Sequence, residues 1–360
     1  MASLVAVVVL LAVVLVRSQR PESPATPALP VIPALPAPAA ADYPFGDASE
    51  WRRDVRSAPV AAESATLVQS LARQVADHYG GVAAFNVNSY TASFYPVGPD
   101  VATVDVEWDN CQDKDYTPRG LLGAGGQFTA IPIPDTAQPS AGRDAQLTVY
   151  SPATDQLWEL WRARRTGGHW QACWGGRIDH VSHSPGFFTH GFGASASGLA
   201  ISGGMVWVDD AQAGRIDHAL SLAVIDVRHW KTVSWPAQRS DGGDHAETAI
   251  PEGTRFRLDP SLDLDTLALS PMARMVARAA QTYGFIVTDR SGAVAVTAQS
   301  GAAAVTTQSG AAAVTTQSGA AAGDGPWPGL LGGAPSYQVM ADFPWDQLQA
   351  LPMNFARPAP

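Results

Sequence analysis

QLTVYSPATDQLWELWRARRTGGHWQACWGGRID, residues 146–179, is the stretch whose reading decides the fold. Leu147–Tyr150 passes through the turn residues Ser151-Pro152-Ala153-Thr154 into Leu157–Arg165, and Thr166-Gly167-Gly168 sends the chain back along His169–Ile178. Glycine tolerates positive φ at both central positions of a two-residue turn, so Gly167-Gly168 predicts a tight hairpin. That turn sets the register. Thr166 faces His169, Arg165 faces Trp170, Trp161 faces Trp174, and Glu159 faces Gly176. Side chains alternate across a strand, so Leu157, Glu159, Trp161 and Ala163 share one face with Trp170, Ala172, Trp174 and Gly176. Arg162, Arg164 and Gln171 fall on the other face, which reads as wet.

Outward from the hairpin, short strands dominate. Val82–Val87, Ser93–Pro96, Ala102–Trp108 and Phe128–Ile133 precede it; Ile216–Val224, Thr232–Ala237, Arg255–Leu258 and Phe285–Asp289 follow. Two helices are predicted. Ser64–Tyr79 repeats Leu67, Leu71, Val75 and Tyr79 at four-residue spacing before Gly80-Gly81. The second starts at a Ser270 cap with Pro271 in first position and ends at Gly284. Many strands, frequent Gly/Pro turns and few helices predict a mainly β chain, an antiparallel jelly-roll-like sandwich with two or three peripheral helices. Residues 292–318 are three nonapeptides (GAVAVTAQS, then GAAAVTTQS twice), and 292–322 reads as a low-complexity insertion at the tip of a strand pair.

The ends set the address. Leu4–Val16 is an unbroken apolar run of thirteen residues, shorter than the roughly twenty needed to span a bilayer but long enough for a signal or anchor segment. Residues 17–41 are Pro/Ala-rich and predict a semi-rigid polyproline stalk. Residues 42–360 are then a single extracytoplasmic domain, secreted or tethered by residues 1–16. The two cysteines, Cys111 and Cys173, are predicted to form one disulfide in that oxidising compartment. The net charge of −10 opposes nucleic acid and anionic membrane surfaces, which need a basic footprint. The membrane is met only through the N-terminal segment.

Six stretches keep a common order with a known set: the 155–161 tryptophan motif, Trp174-Gly-Gly-Arg177, Gly193-Ala-Ser-Ala-Ser-Gly-Leu199, Gly214-Arg-Ile-Asp-His-Ala-Leu220, Trp235-Pro-Ala237, and Pro251-Glu-Gly-x-Arg-Phe-Arg-Leu258. Over about 45–290 the chain resembles a family of exported bacterial proteins whose activity is uncharacterised. The resemblance implies an exported single domain with a jelly-roll-like sandwich. It carries no catalytic role.

Glu159, a carboxylate on an aromatic face opposite a glycine, is the first candidate for chemistry; carbohydrate sites combine aromatic platforms with acid/base carboxylates. His218 is the second, since a histidine near neutrality serves as general acid or base beside a cleft. Asp179 and Arg257 complete the candidate catalytic set, and Trp161, Trp174 and Trp170 the candidate binding set. The competing readings are structural: Glu159 buried and paired with Arg177 or Arg257, and His218 a hydrogen-bonded core residue. Asp179-His180-x-x-His183 with His190 falls on no regular face, so no metal is assigned, and no cofactor is expected. Three functions remain: a glycosidase or polysaccharide lyase of the cell envelope, a glycan-binding module, and a structural surface protein. The expected partner is a cell-wall or extracellular polysaccharide.

Overall fold

A computed structural model describes residues 43–303 and 323–359. The expectations for 1–16 and 17–41, and for most of the second and third nonapeptides, lie outside these residues.

The hairpin has the register that its turn chemistry dictates. β5 (Gln156–Trp161) pairs with β8 (Trp174–Asp179), with Glu159 opposite Gly176 and Trp161 opposite Trp174. β6 (Arg164–Thr166) pairs with β7 (His169–Ala172), with Arg165 opposite Trp170 and Thr166 opposite His169. Gly167 and Gly168 have φ of 59° and 89°, the positive values that a type I′ turn demands. The long strands are nevertheless broken. Arg162 adopts φ 54°, and the hairpin tip leaves the sheet of β5 and β8 for another.

Three sheets result. A four-stranded sheet runs β2 (Ala92–Pro96), β4 (Gln146–Ser151), β5, β8, with β2 parallel to β4 and the other pairs antiparallel. A three-stranded sheet runs β3 (Glu107–Trp108), β7, β6, with β3 parallel to β7. A six-stranded sheet runs β1 (Ala84–Asn86), β12 (Ala295–Thr297), β9 (Leu220–Val224), β11 (Phe285–Arg290), β10 (Arg255–Leu258), β13 (Leu348–Ala350). Here β1–β12 and β9–β11 are parallel and the remaining pairs antiparallel.

The expected all-antiparallel arrangement is therefore corrected to mixed sheets. Alternation along a strand reports which face is buried but not the direction of its neighbour. Parallel pairing needs a long crossover, and the stretches between β2 and β4 and between β9 and β11 supply it. Phe128–Ile133 and Thr232–Ala237 are irregular, apart from a bridge between Val104 and Ile131.

Helix α1 (Ser64–Asp77) buries Leu67, Leu71 and Val75. Two more short helices, α2 (Ile201–Gly204) and α3 (Val208–Ala213), precede β9. Helix α4 (Pro271–Thr282) is capped by Ser270 Oγ, which accepts from Ala273 N at 3.1 Å. Gly284 follows at φ 80°. Both α1 and α4 share an apolar cluster with Leu220, Leu222, Phe256, Phe285 and Val287, one face of the six-stranded sheet. Ile286, on the other face of β11, joins a second cluster with Phe94, Leu147, Val149, Leu157 and Trp158 of the four-stranded sheet. Trp158 and Leu160 are buried as well as Leu157 and Glu159, so β5 is covered on both faces, and only the hairpin tip is wet.

The first nonapeptide is no loop. Its residues Ala295–Thr297 are β12, between β1 and β9, and Val294, Val296 and Ala298 are buried. This copy alone has Val-x-Val alternation; the others have Ala at the position of Val294. Gly301 and Gly325 meet closely: a Cβ on Gly301 would lie 2.1 Å from Asp324 O.

Cys111 and Cys173 form a disulfide with Cα atoms 5.5 Å apart. It ties the loop after β3 to the junction of β7 and β8.

Candidate functional site

The structure disperses the residues singled out by sequence. Glu159 is buried at 1% exposure because β5 points it at Gly176, where a Cβ would strike Gly193 N and Phe188 at 2.8 Å. Its Oε2 accepts from Ile201 N at 3.1 Å; its Oε1 accepts from Ser202 N at 2.9 Å and Ser202 Oγ at 2.7 Å. The carboxylate thus caps α2 and has no arginine partner among the described residues. Burial raises its pKa from 4.5 to about 6, against the lowering effect of those hydrogen bonds.

His218 lies before β9 rather than in it. Its ring stacks on Tyr43 with centroids 4.7 Å apart, Nδ1 meets Ala219 O at 2.8 Å, and Nε2 meets Asp210 Oδ2 at 3.1 Å. It lines a pocket of about 40 Å³ together with Tyr43, Arg52 and Trp207. Glu159 and the three candidate tryptophans do not line that pocket, so the two acid/base candidates do not share a cleft. Arg257 is buried and donates to Val55 O at 2.6 Å and Arg56 O at 2.9 Å, fastening the N-terminal segment beneath β10. Asp179 sits exposed at the end of β8 with Arg177 at 2.9 Å. Trp170 is buried in the second apolar cluster.

Trp161 and Trp174 do come together, on a cleft of about 500 Å³. Both rings are half-buried and fixed by their N–H groups. Trp161 Nε1 donates to Asp144 Oδ1 at 3.0 Å, and Trp174 Nε1 donates to Gly191 O at 3.1 Å. Trp174 also stacks on Phe192 at 5.6 Å, and Lys114 Nζ lies 5.2 Å from its centroid. Gln112 of the disulfide loop lines the same cleft.

Another part of the cleft lining is acidic. The pairing of β11 with β9 slips between Val287 and Asp289. In an unbroken strand Asp289 would share the buried face of Val287; the bulge turns it to the side of Thr288, and both line the cleft. Asp241 reaches the same part of the lining from the loop after Arg239. Gly242 lets that loop lie on Arg228, whose carbonyl a Cβ would approach to 1.9 Å. Behind them lies Glu252, wholly buried. Its position is set by Gly253, at φ 84°, where a Cβ would stand 1.7 Å from Ser234 O. Each of the three carboxylates has an oxygen within 4.8 Å of the others.

Charge repulsion and burial act together here. Burial, then Asp289 and Asp241, push the Glu252 pKa up to about 10. Burial, then Asp241, push Asp289 up to about 7. Ser240 lies near enough to favour the charged form of Glu252, yet neither Glu252 oxygen has a hydrogen bond of normal geometry. Arg239 is close, but its terminal nitrogens donate to Gly191, Gly193 and Ser195 carbonyls at 2.6–3.0 Å. Burial lowers its pKa, against the three carboxylates.

Comparisons of the chain with protein families, curated proteins and solved structures give no match.

Sequence reasoning missed this acidic wall. Its members stand at 241, 252 and 289, and the bulge that aims Asp289 leaves no mark in the hydrophobic pattern. The one available signal was the Pro251-Glu252-Gly253 turn directly ahead of β10, a carboxylate between two turn residues.

Proposed function

We propose that this chain is a carbohydrate-binding domain of the cell envelope, with the Trp161–Trp174 cleft as its binding site. The observation that carries this reading is the pair itself: two half-exposed indoles, directly opposite on β5 and β8, each held by its own N–H. A ring immobilised before the ligand arrives loses little entropy on binding, and a flat apolar face suits the C–H face of a sugar. The rest of the lining is polar: Asn86, Gln146, Thr288 and Thr297 present hydrogen-bonding groups toward the same space. At about 500 Å³ the cleft falls within the ~300–1,000 Å³ of small-ligand sites.

Glu159 and His218, the acid/base candidates of the sequence, are engaged in packing outside the cleft, so the reading rests on the indole pair and not on either of them. The Cys111–Cys173 bond suits an oxidising compartment, in keeping with the exported address read from residues 1–41. A glycan array and a panel of cell-wall polysaccharide fragments, applied to residues 42–360 with tryptophan fluorescence as readout, test the proposal. Binding of at least one oligosaccharide class that quenches or shifts the emission supports it; no binding across the panel counts against it.

A further inference from the structure

We propose that Asp241, Glu252 and Asp289 form a site for one divalent hard cation, calcium by preference, on the inner wall of the cleft. The inference is independent of the sugar reading.

The geometry is the first support. Calcium–oxygen bonds are about 2.3–2.6 Å long, so two oxygens on opposite sides of one ion stand about 5 Å apart. The three carboxylates each bring an oxygen within 4.8 Å of the others, inside that limit. The donor set is all oxygen, with no histidine or cysteine in the cluster, which selects calcium or magnesium over the softer transition metals. Calcium is preferred because it accepts irregular, carboxylate-rich shells, whereas magnesium demands near-octahedral geometry and retains its water.

The second support is Glu252 itself. It is 0% exposed, faces the two aspartates, and neither oxygen has a hydrogen-bond partner. An ionised carboxylate in that state costs several kcal/mol to bury. Two cations stand nearby, and neither bonds Glu252: the Arg239 terminal nitrogens are committed to three backbone carbonyls and act on Glu252 only through space, and Arg290 Nε stands 4.0 Å from Asp241 Oδ2. A bound cation would take the place of the proton on Glu252, satisfy its orphaned oxygens and offset two of the three carboxylate charges. The way in is open, because Asp241 is exposed and lines the cleft together with Asp289. Asp289 is held in place, with Oδ1 accepting from Arg290 N at 2.9 Å and Oδ2 from Ala196 N at 3.3 Å. The Ser240 side chain and water would complete the shell.

The test uses the purified full-length chain, stripped with a chelator and titrated separately with calcium chloride and magnesium chloride in a calorimeter. The expected result is one calcium per chain with Kd below about 1 mM, weaker magnesium binding, and a melting temperature several degrees higher at 10 mM calcium. Asp241→Asn, at an exposed position, is expected to weaken calcium binding at least tenfold. Glu252→Gln is expected to do the same and to abolish the calcium-dependent rise in melting temperature. Asp179→Asn, on the surface outside the cluster, should leave binding unchanged. The proposal is overturned if neither ion binds at 10 mM, or if binding survives Asp241→Asn intact. It is equally overturned if calcium binds but Asp179→Asn removes it, which would place the ion elsewhere. Sugar binding measured in chelator separates a failure here from a failure of the glycan reading.

Discussion

Replacing Glu159 by alanine should destabilise the domain, and by more in acid than at neutral pH. The substitution strands three donors, Ile201 N, Ser202 N and Ser202 Oγ, beside a serine that is itself 0% exposed. An unsatisfied buried donor costs about 1–3 kcal/mol, so the gross loss is about 5 kcal/mol. Against it stands the relief of a buried charge. A folded pKa raised from 4.5 to about 6 means that keeping Glu159 ionised costs the native state about 2 kcal/mol. The sign follows from linkage. The raised pKa contributes stability that is fully present below about pH 4.5 and lost as pH rises through about 6. Alanine removes that dependence. The net loss is therefore about 3 kcal/mol at pH 7.5 and about 5 kcal/mol at pH 4.5. At neutral pH this lowers the melting temperature by about 5 °C for a chain of this size. Glutamine keeps one acceptor for Ser202 and carries no charge, so Glu159→Gln should stay within about 1 kcal/mol of the parent at pH 7.5. Urea melts at the two pH values, followed by tryptophan fluorescence, give these differences directly. An alanine variant as stable as the parent, or a gap that narrows in acid, would refute the capping role.

Three further outcomes are expected. Mass spectrometry after alkylation should find no free thiol until reductant is added, and Cys111→Ser with Cys173→Ser should cost about 4 kcal/mol, the chain-entropy value for a sequence separation of 62; free thiols in native material would contradict the bond. Deleting the third nonapeptide, residues 310–318, should change stability by less than about 1 kcal/mol, because loop closure depends only weakly on length and the described flanks already meet at Gly301 and Gly325. The same deletion placed on the first copy, residues 292–300, should prevent folding, since it removes β12 from the interior of a sheet.

The hairpin was legible because its information is local. A Gly-Gly turn and a period of two dictate which side chains stand opposite, and Glu159–Gly176 and Trp161–Trp174 followed from nothing else. Helix α4 was legible for the same reason, through Ser270, Pro271 and Gly284. Strand direction was not, because a valine or phenylalanine buried in β9 or β11 packs equally well beside a parallel or an antiparallel neighbour. Low complexity misled at 292–300, where two valines among alanines suffice for a buried strand once β1 and β9 flank it. The roles of Glu159 and His218 were hidden by a related gap. Their buried faces were visible, but α2, Tyr43 and Asp210, which satisfy them, are brought in by tertiary packing. The acidic wall needed a bulge and two glycines at close backbone approaches, neither of which has a periodic signature.

The central claim is that the Trp161–Trp174 cleft binds a glycan, and the most direct measurement is the affinity of the best array ligand for three proteins by calorimetry. The parent chain should bind it; Trp174→Ala should bind at least thirtyfold more weakly, the loss of one well-packed aromatic anchor of about 2 kcal/mol. Trp230→Ala, which removes an indole that is 55% exposed and does not line the cleft, should bind as the parent does. Equal affinity for the parent and Trp174→Ala, or a loss as large for Trp230→Ala, would contradict the account.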